Sequence, residues 1–397
     1  MVPSIRKAYN EAFTLERYEA FLQDLQSVHP GDIAFRVAET PVFIGKEFKA
    51  KVLQACEDIV DTIVRPDFNE LTANAIPEQY RSGSDNERTD CIAFDFGICQ
   101  SDDGSYSPQL IEMQGFPSLF AYQVLHSEII QKHFPIPAAF DSYLNGLNKE
   151  TYIQLLKEMI IQDFPPEEVI LLEIYPEQQK TKIDFSCTKD YVGIETVCVT
   201  ALRADGKSLY YEKADGSRQK ISRIYNRVIF DDLEKQELPV GTIDLLADWN
   251  VSWCPHPNWF YRISKFTLPF IKSDYVPETH FLSDLDPVPA NLEDWVLKPL
   301  FSFAGQGVII DVTKADIDSI EDPQNWILQK KVTYANAILT PNDPAKAEIR
   351  IFYFWPKGAE RPIPVQNLAR LSKGKMIGVR YNADKDWVGG SLVFFEA

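Results

Sequence analysis

Basic residues are in short supply. The 397-residue chain carries 40 Lys+Arg against 58 Asp+Glu, a formal net charge of −18. Phosphate backbones need Lys/Arg surfaces to release counterions, so extended nucleic acid is excluded as a partner. An anionic membrane face is a poor match for the same reason. Long hydrophobic runs are also missing. No stretch approaches the roughly 20 apolar residues of a spanning helix, and residues 1–10 lack an apolar run suited to a signal-peptide core. The six cysteines, Cys56, Cys91, Cys99, Cys187, Cys198 and Cys254, include no C-x-x-C pair. A disulfide framework or zinc site is therefore not indicated, and reduced, mostly buried thiols in a cytoplasmic protein are expected. The five histidines show no H-E-x-x-H spacing. Also missing are the G-x-x-x-x-G-K-[ST] phosphate loop, the G-x-G-x-x-G dinucleotide turn, the G-x-S-x-G elbow and the H-R-D kinase loop.

What remains is a packed globular chain, 45% hydrophobic and 12% aromatic, long enough for two or three domains. Phe48, Val52, Cys56, Ile59 and Ile63 follow helical spacing. Residues 91–98 and 109–114 flank an Asp-Asp-Gly turn and read as a β-hairpin. A helix is expected from about Pro117, because proline suits a first helical position. Residues 148–163 read as an amphipathic helix, with buried strands expected at 169–174 and 196–200. Alternating strands and helices favour an α/β fold.

Chemistry concentrates in two places. Residues 295–310 read as a strand, a glycine-bearing loop and a second strand. Lys298 ends the apolar part of the first strand, where a hydrated ammonium wants an anion. Ala304, Gly305, Gln306 and Gly307 would let backbone N–H groups approach a phosphate. An ordinary hairpin with a snorkelling lysine fits that stretch equally well. The other place is 88–114. No Lys or Arg occurs between Arg88 and Lys132, whereas Asp90, Asp95, Asp102, Asp103, Glu112 and Glu128 do. Glu112 and Gln114 are two residues apart on a strand and share a face. That pair suits a hard oxygen-ligated cation, or else a solvated strand face. Arg350 and Arg370 stand in β-like segments and suit phosphate or carboxylate recognition.

The ordered set Lys265, Lys298 with its glycine loop, Gln329-Lys330, Glu348-Ile-Arg350 and Asn367-Leu-Ala-Arg370 resembles the ATP-grasp enzymes. In that family two lysines grip nucleotide phosphates, a glycine hairpin covers them, and a hinge strand meets adenine. The usual metal half does not follow the lysine half. Instead Arg88-Thr-Asp90 and Glu112-Met-Gln114, with a serine turn at Ser118, come first. This order resembles the circularly permuted type of eukaryotic glutathione synthetase and glutathionylspermidine synthetase. Arg223-Ile-Tyr-Asn-Arg227 resembles a segment those proteins carry before the first lysine. Two positions depart from the pattern: Gln114 replaces Asn, and Ser302 replaces a metal-binding Glu.

The resemblance implies an α/β ATP-grasp fold in permuted order. Residues 1–150 would hold the metal part of the core, 151–260 an α/β substrate domain, 261–345 the nucleotide lid, and 346–397 the remainder of the core. It implies an ATP- and Mg²⁺-dependent carboxylate–amine ligase acting through an acylphosphate on small-molecule substrates. Lys265, Lys298, the loop at 304–307, Gln329 and Lys330 would bind ATP. Asp90, Glu112 and Gln114 would hold Mg²⁺. Arg88, Arg350 and Arg370 would orient the transferred group or the acceptor carboxylate. Gln114 and Ser302 motivate the alternative of a nucleotide-binding or scaffold protein that has lost ligation. The acidity itself is uneven: residues 261–397 carry 16 Lys+Arg and 17 Asp+Glu, and residues 1–260 carry 24 and 41.

Overall fold

The computed structural model describes residues 2–81, 86–101, 103–301, 307–374, 377, 382 and 384–397. Its centre is an antiparallel five-stranded sheet assembled from distant parts of the chain. β2 (Cys91–Gln100) and β3 (Tyr106–Gln114) come from the first third, and β15 (Lys346–Phe354), β16 (Ile363–Ser372) and β17 (Gly389–Ser391) from the end. The strand order is β17-β16-β15-β2-β3. β2 is central because its residues are buried from Cys91 to Cys99. Such a strand must pair on both edges and pack on both faces. β3 forms the hairpin with β2, as its turn chemistry dictates.

Helices cover this sheet. α3 (Lys46–Ile63) buries Phe48, Val52, Cys56, Ile59 and Ile63 along one face. α5 (Tyr122–His133) starts five residues later than Pro117 suggests. Asp184, on α7 (Lys182–Val192), explains the shift. Its Oδ1 accepts the backbone N–H groups of Ala121 and Tyr122, both at 2.9 Å, so a tertiary carboxylate supplies the N-terminal cap. Three further helices are α1 (Pro3–Ala12), α2 (Leu15–Val28) and the short α4 (Phe68–Leu71). A three-stranded sheet unites β1 (Val42–Ile44), β18 (Val393–Glu396) and β4 (Phe140–Asp141).

A second α/β layer follows α6 (Lys149–Ile161). Its parallel sheet has the order β11-β10-β5-β6. The strands are β5 (Val169–Glu173), β6 (Glu195–Cys198), β10 (Arg223–Asn226) and β11 (Ser252–Cys254). A small antiparallel meander, β7 (Arg203–Asp205), β8 (Ser208–Glu212) and β9 (Arg218–Ile221), precedes β10. The last sheet is antiparallel, with β14 (Trp326–Lys330) between β12 (Thr279–Phe281) and β13 (Trp295–Pro299). Chain after the glycine loop returns to β13, where Leu297 and Ile309 exchange backbone hydrogen bonds of 3.0 and 2.9 Å. The whole is a mixed α/β fold with several sheets. Among the described residues no helix is long and apolar enough to cross a membrane.

Candidate functional site

A bulge in the central hairpin builds the site. Pairing shifts between Asp95 and Phe96: Asp95 faces Glu112, while Phe96 faces Leu110, leaving Ile111 extra. Bulges of this kind re-aim side chains. Two carboxylates directly opposite would repel, but β15 sets Arg350 on the other side of Asp95. Arg350 donates to Asp95 through Nε at 2.5 Å and Nη2 at 2.6 Å. Arg370, one strand further, also donates to Asp95 and reaches Glu348 at 3.4 Å. Glu348 accepts from the Tyr334 hydroxyl at 2.5 Å. Gly97 permits this contact, because a Cβ there would lie 2.8 Å from the Tyr334 ring.

The charges in the cluster depend on one another. Burial pushes the Asp95 carboxyl up, but Arg350 and Arg370 together outweigh it and hold it below the ordinary range. Burial keeps Glu348 above its ordinary value despite Arg370. For Arg370, burial opposes the charge while Asp95 and Glu348 favour it more strongly, so the guanidinium stays firmly charged.

The cluster opens onto a cavity of about 650 Å³. Its wall includes Glu112, Gln114, Ser118, Lys265, Arg350 and Arg370, and it extends to Arg36, Lys180 and Arg227. Among the described residues the wall therefore carries six cationic side chains and a single carboxylate, Glu112. Phe35, Phe116, Tyr122, Phe260 and Phe301 supply its aromatic surface. Four of the six already have carboxylate partners: Arg36 in Glu39, Arg227 in Asp184, and Arg350 and Arg370 in Asp95.

Lys265 opens a short 3-10 helix, Lys265–Phe270, whose first turn is fixed by the Ser264 hydroxyl accepting from the Phe266 N–H. Burial lowers the Lys265 pKa, with Glu112 opposing. Lys298 is not among the residues that line the cavity, yet its charge interacts with both Lys265 and Glu112. Burial, reinforced by Lys265, lowers its pKa from 10.5 to about 8. Its ammonium donates to the Gln329 side-chain oxygen at 2.5 Å, and the Gln329 amide donates to Thr279 Oγ1 at 3.0 Å.

The remaining sequence-derived candidates lie elsewhere. Asp90, expected beside Glu112, is bound by Arg223 Nη2 at 3.0 Å and by Gln162 Nε2 at 3.2 Å. It precedes β2, so it cannot reach a face set by position 95. Arg88 donates to the carbonyls of Ala359 and Pro356 and lies 5.1 Å from the Trp355 ring, away from the cavity wall. Lys330 lies over the Trp295 ring at 5.1 Å. β14, the strand expected to meet adenine, is paired on both sides. Gly307 has φ +71, which explains glycine there. Ala304, Gly305, Gln306 and Ser302 lie outside the described residues.

Asp95 is the residue that sequence reasoning passed over as a site member. Its signal was present: a single carboxylate inside the apolar run 91–99 must be paired. Glu348 and Arg350 likewise alternate with buried Ala347, Ile349 and Ile351.

A metal held by three protein ligands does not fit this wall. Asp95 and Glu348 are engaged by guanidinium and phenol groups, and Asp90 is remote. Only Glu112 and Gln114 of the expected set are on the cavity. Among the described residues no group of three His, Cys, Asp or Glu side chains is placed to hold a metal.

No protein-family model matches the chain, and no curated protein matches its sequence. Among solved structures, the chain is similar to the apoform of a glutathione synthetase-like effector (GSS30) from Globodera pallida. The match covers 97% of this chain and 98% of that one, with a TM-score of 0.56 and 11% identity. At that identity the likeness is one of fold.

Proposed function

We propose that this chain binds ATP in an ATP-grasp fold of circularly permuted order and works as a carboxylate–amine ligase. One observation carries the reading: a single cavity is lined by Lys265 and the Arg350/Arg370 pair together with aromatic side chains, Lys180 and Arg36. The phosphates belong with Lys265 and Lys298, whose burial makes an anion welcome. The carboxylate to be activated belongs near Arg350 and Arg370, and the rest of the cavity has room for the remainder of the substrate.

In the reaction, a carboxylate oxygen attacks the γ-phosphorus of ATP, and ADP leaves. The amine then attacks the acylphosphate carbon, inorganic phosphate departs, and the amine loses a proton as the amide forms. The chain's part is positional and electrostatic. Lysines and arginines hold negative charge in place, and the aromatic wall excludes water from the acylphosphate. ADP release measured over a panel of amino acids, short peptides and polyamines tests the reading. Turnover with an acceptor supports it, and ATP binding with no turnover across the panel argues against it.

A second reading, nucleotide binding without ligation, is favoured by the engagement of Asp95 and Glu348 by arginine. Saturable ATP binding without ADP release under every acceptor is its expected result.

A further inference from the structure

We infer that the cavity binds the phosphates of ATP without a divalent cation, with the Arg350–Asp95–Arg370 cluster supplying the charge that a metal would otherwise bring. This rests on the ATP reading above and holds for either version of it.

The first ground is the state of the carboxylates. A metal-dependent phosphate site keeps its carboxylates open to the cation. Asp95 instead accepts two hydrogen bonds from Arg350 and one from Arg370. Glu348 is shared between Tyr334 and Arg370. Asp95 and Glu348 could reach a metal only by breaking a buried ion pair, which is a costly step, and among the described residues this leaves Glu112 as the one carboxylate on the wall open to a cation.

The second ground is the local balance of charge. Among the described residues Lys265, Lys298, Arg350 and Arg370 meet Asp95, Glu112 and Glu348, four cations against three carboxylates before any ligand arrives. A divalent cation here would add repulsion against guanidinium groups that are already charged. Metal-free ATP carries two more negative charges than its Mg²⁺ complex, and so matches the wall better.

The third ground is unused hydrogen-bonding capacity. Among the described residues Arg370 Nε and Arg227 Nε are buried and have no acceptor, and other atoms of both residues line the cavity. Buried donors are seldom left unpaired. Guanidinium N–H groups are well suited to the oxygens of a phosphate or carboxylate.

Calorimetry with ATP, once in excess EDTA and once in excess Mg²⁺, provides the test. The dissociation constant in EDTA is expected to equal or fall below that in Mg²⁺. Glu112→Gln removes a negative charge from the wall, so metal-free ATP should bind it roughly threefold more tightly. Arg370→Gln should lose at least tenfold affinity in EDTA while keeping a cooperative melt. A tenfold or greater loss of wild-type affinity on chelation overturns the inference and leaves the ATP reading standing. Loss of metal-free binding in Glu112→Gln overturns it as well. Binding in neither buffer overturns the ATP reading, and the inference with it.

Discussion

Lys298 and Gln329 lie diagonally across the β13–β14 pair, and the ammonium donates to the amide oxygen at 2.5 Å. Gln329 in turn donates to Thr279 on β12. Three strands therefore combine to aim one half-buried charge. The sequence resemblance offers the backbone of this strand to the nucleotide base, and in the fold the Gln329 side chain serves the lysine.

Replacing Lys298 with methionine should separate stability from binding. The half-buried ammonium is partly desolvated at neutral pH, and its removal also leaves Gln329 without a donor, so the variant should be no less stable than the unmodified chain. Its affinity for ATP or pyrophosphate should fall at least tenfold. Thermal melts and calorimetry on the same sample check both; a less stable variant with unchanged affinity contradicts the role given to Lys298.

Anion affinity should depend on pH with a midpoint set by that lysine. Its folded pKa is lowered to about 8 from 10.5. Affinity should be flat below pH 8 and fall up to tenfold per unit above it, as the ammonium deprotonates. Stability should move the opposite way. Between pH 8 and 10.5 the unfolded chain holds the extra proton, so this group's contribution to stability rises with pH. Calorimetry from pH 6.5 to 9.5 tests the first trend, and the Lys298→Met variant should lack both.

Gln329→Leu should raise the dissociation constant for ATP several-fold with little change in unfolding cooperativity. Without its acceptor, Lys298 loses a hydrogen bond to its charged form, so the pH midpoint should drop below 8. A midpoint that stays put removes Gln329 from the positioning role.

Asp95→Asn leaves Arg350 and Arg370 without a full counter-charge in a buried setting. A loss of about 3–5 kcal/mol is expected, as for breaking a buried pair from one side. Adding Arg350→Met should recover part of that loss. The cycle Asp95→Asn, Arg350→Met and the double variant, read by denaturant unfolding, should show strong coupling. Additive effects would contradict the bidentate pair.

Asp90→Asn should act on stability alone. Arg223 would lose its charged partner, costing about 3 kcal/mol, while ATP affinity and any Mg²⁺ titration should stay within twofold of the unmodified chain. A changed Mg²⁺ titration would return Asp90 to the metal reading.

Local signals were enough for the elements around the site. The helix at Lys46–Ile63 shows its buried stripe in the spacing of Val52, Cys56 and Ile59. The hairpin of β2 and β3 follows from two β-rich runs about an Asp-Gly turn. The start of α5 was not legible, because its cap is Asp184, more than 60 residues along the chain.

The sequence by itself determined which residue types were available: two strand-borne arginines, two lysines in apolar surroundings, and an acidic first part without basic residues between Arg88 and Lys132. These follow from composition and period, which are local. Only the tertiary structure decided the partners. Asp95, and not Asp90 just before β2, joins Glu112 because the β2–β3 pairing sets it opposite, and the single-residue bulge at Ile111 brings Glu112 across from Asp95 and not from Phe94. Whether the chosen carboxylate is open to a cation depends on β15 and β16, which arrive from more than 250 residues away and close it with Arg350 and Arg370. Cross-strand pairing is set by packing over the whole sheet, and no window of sequence contains it.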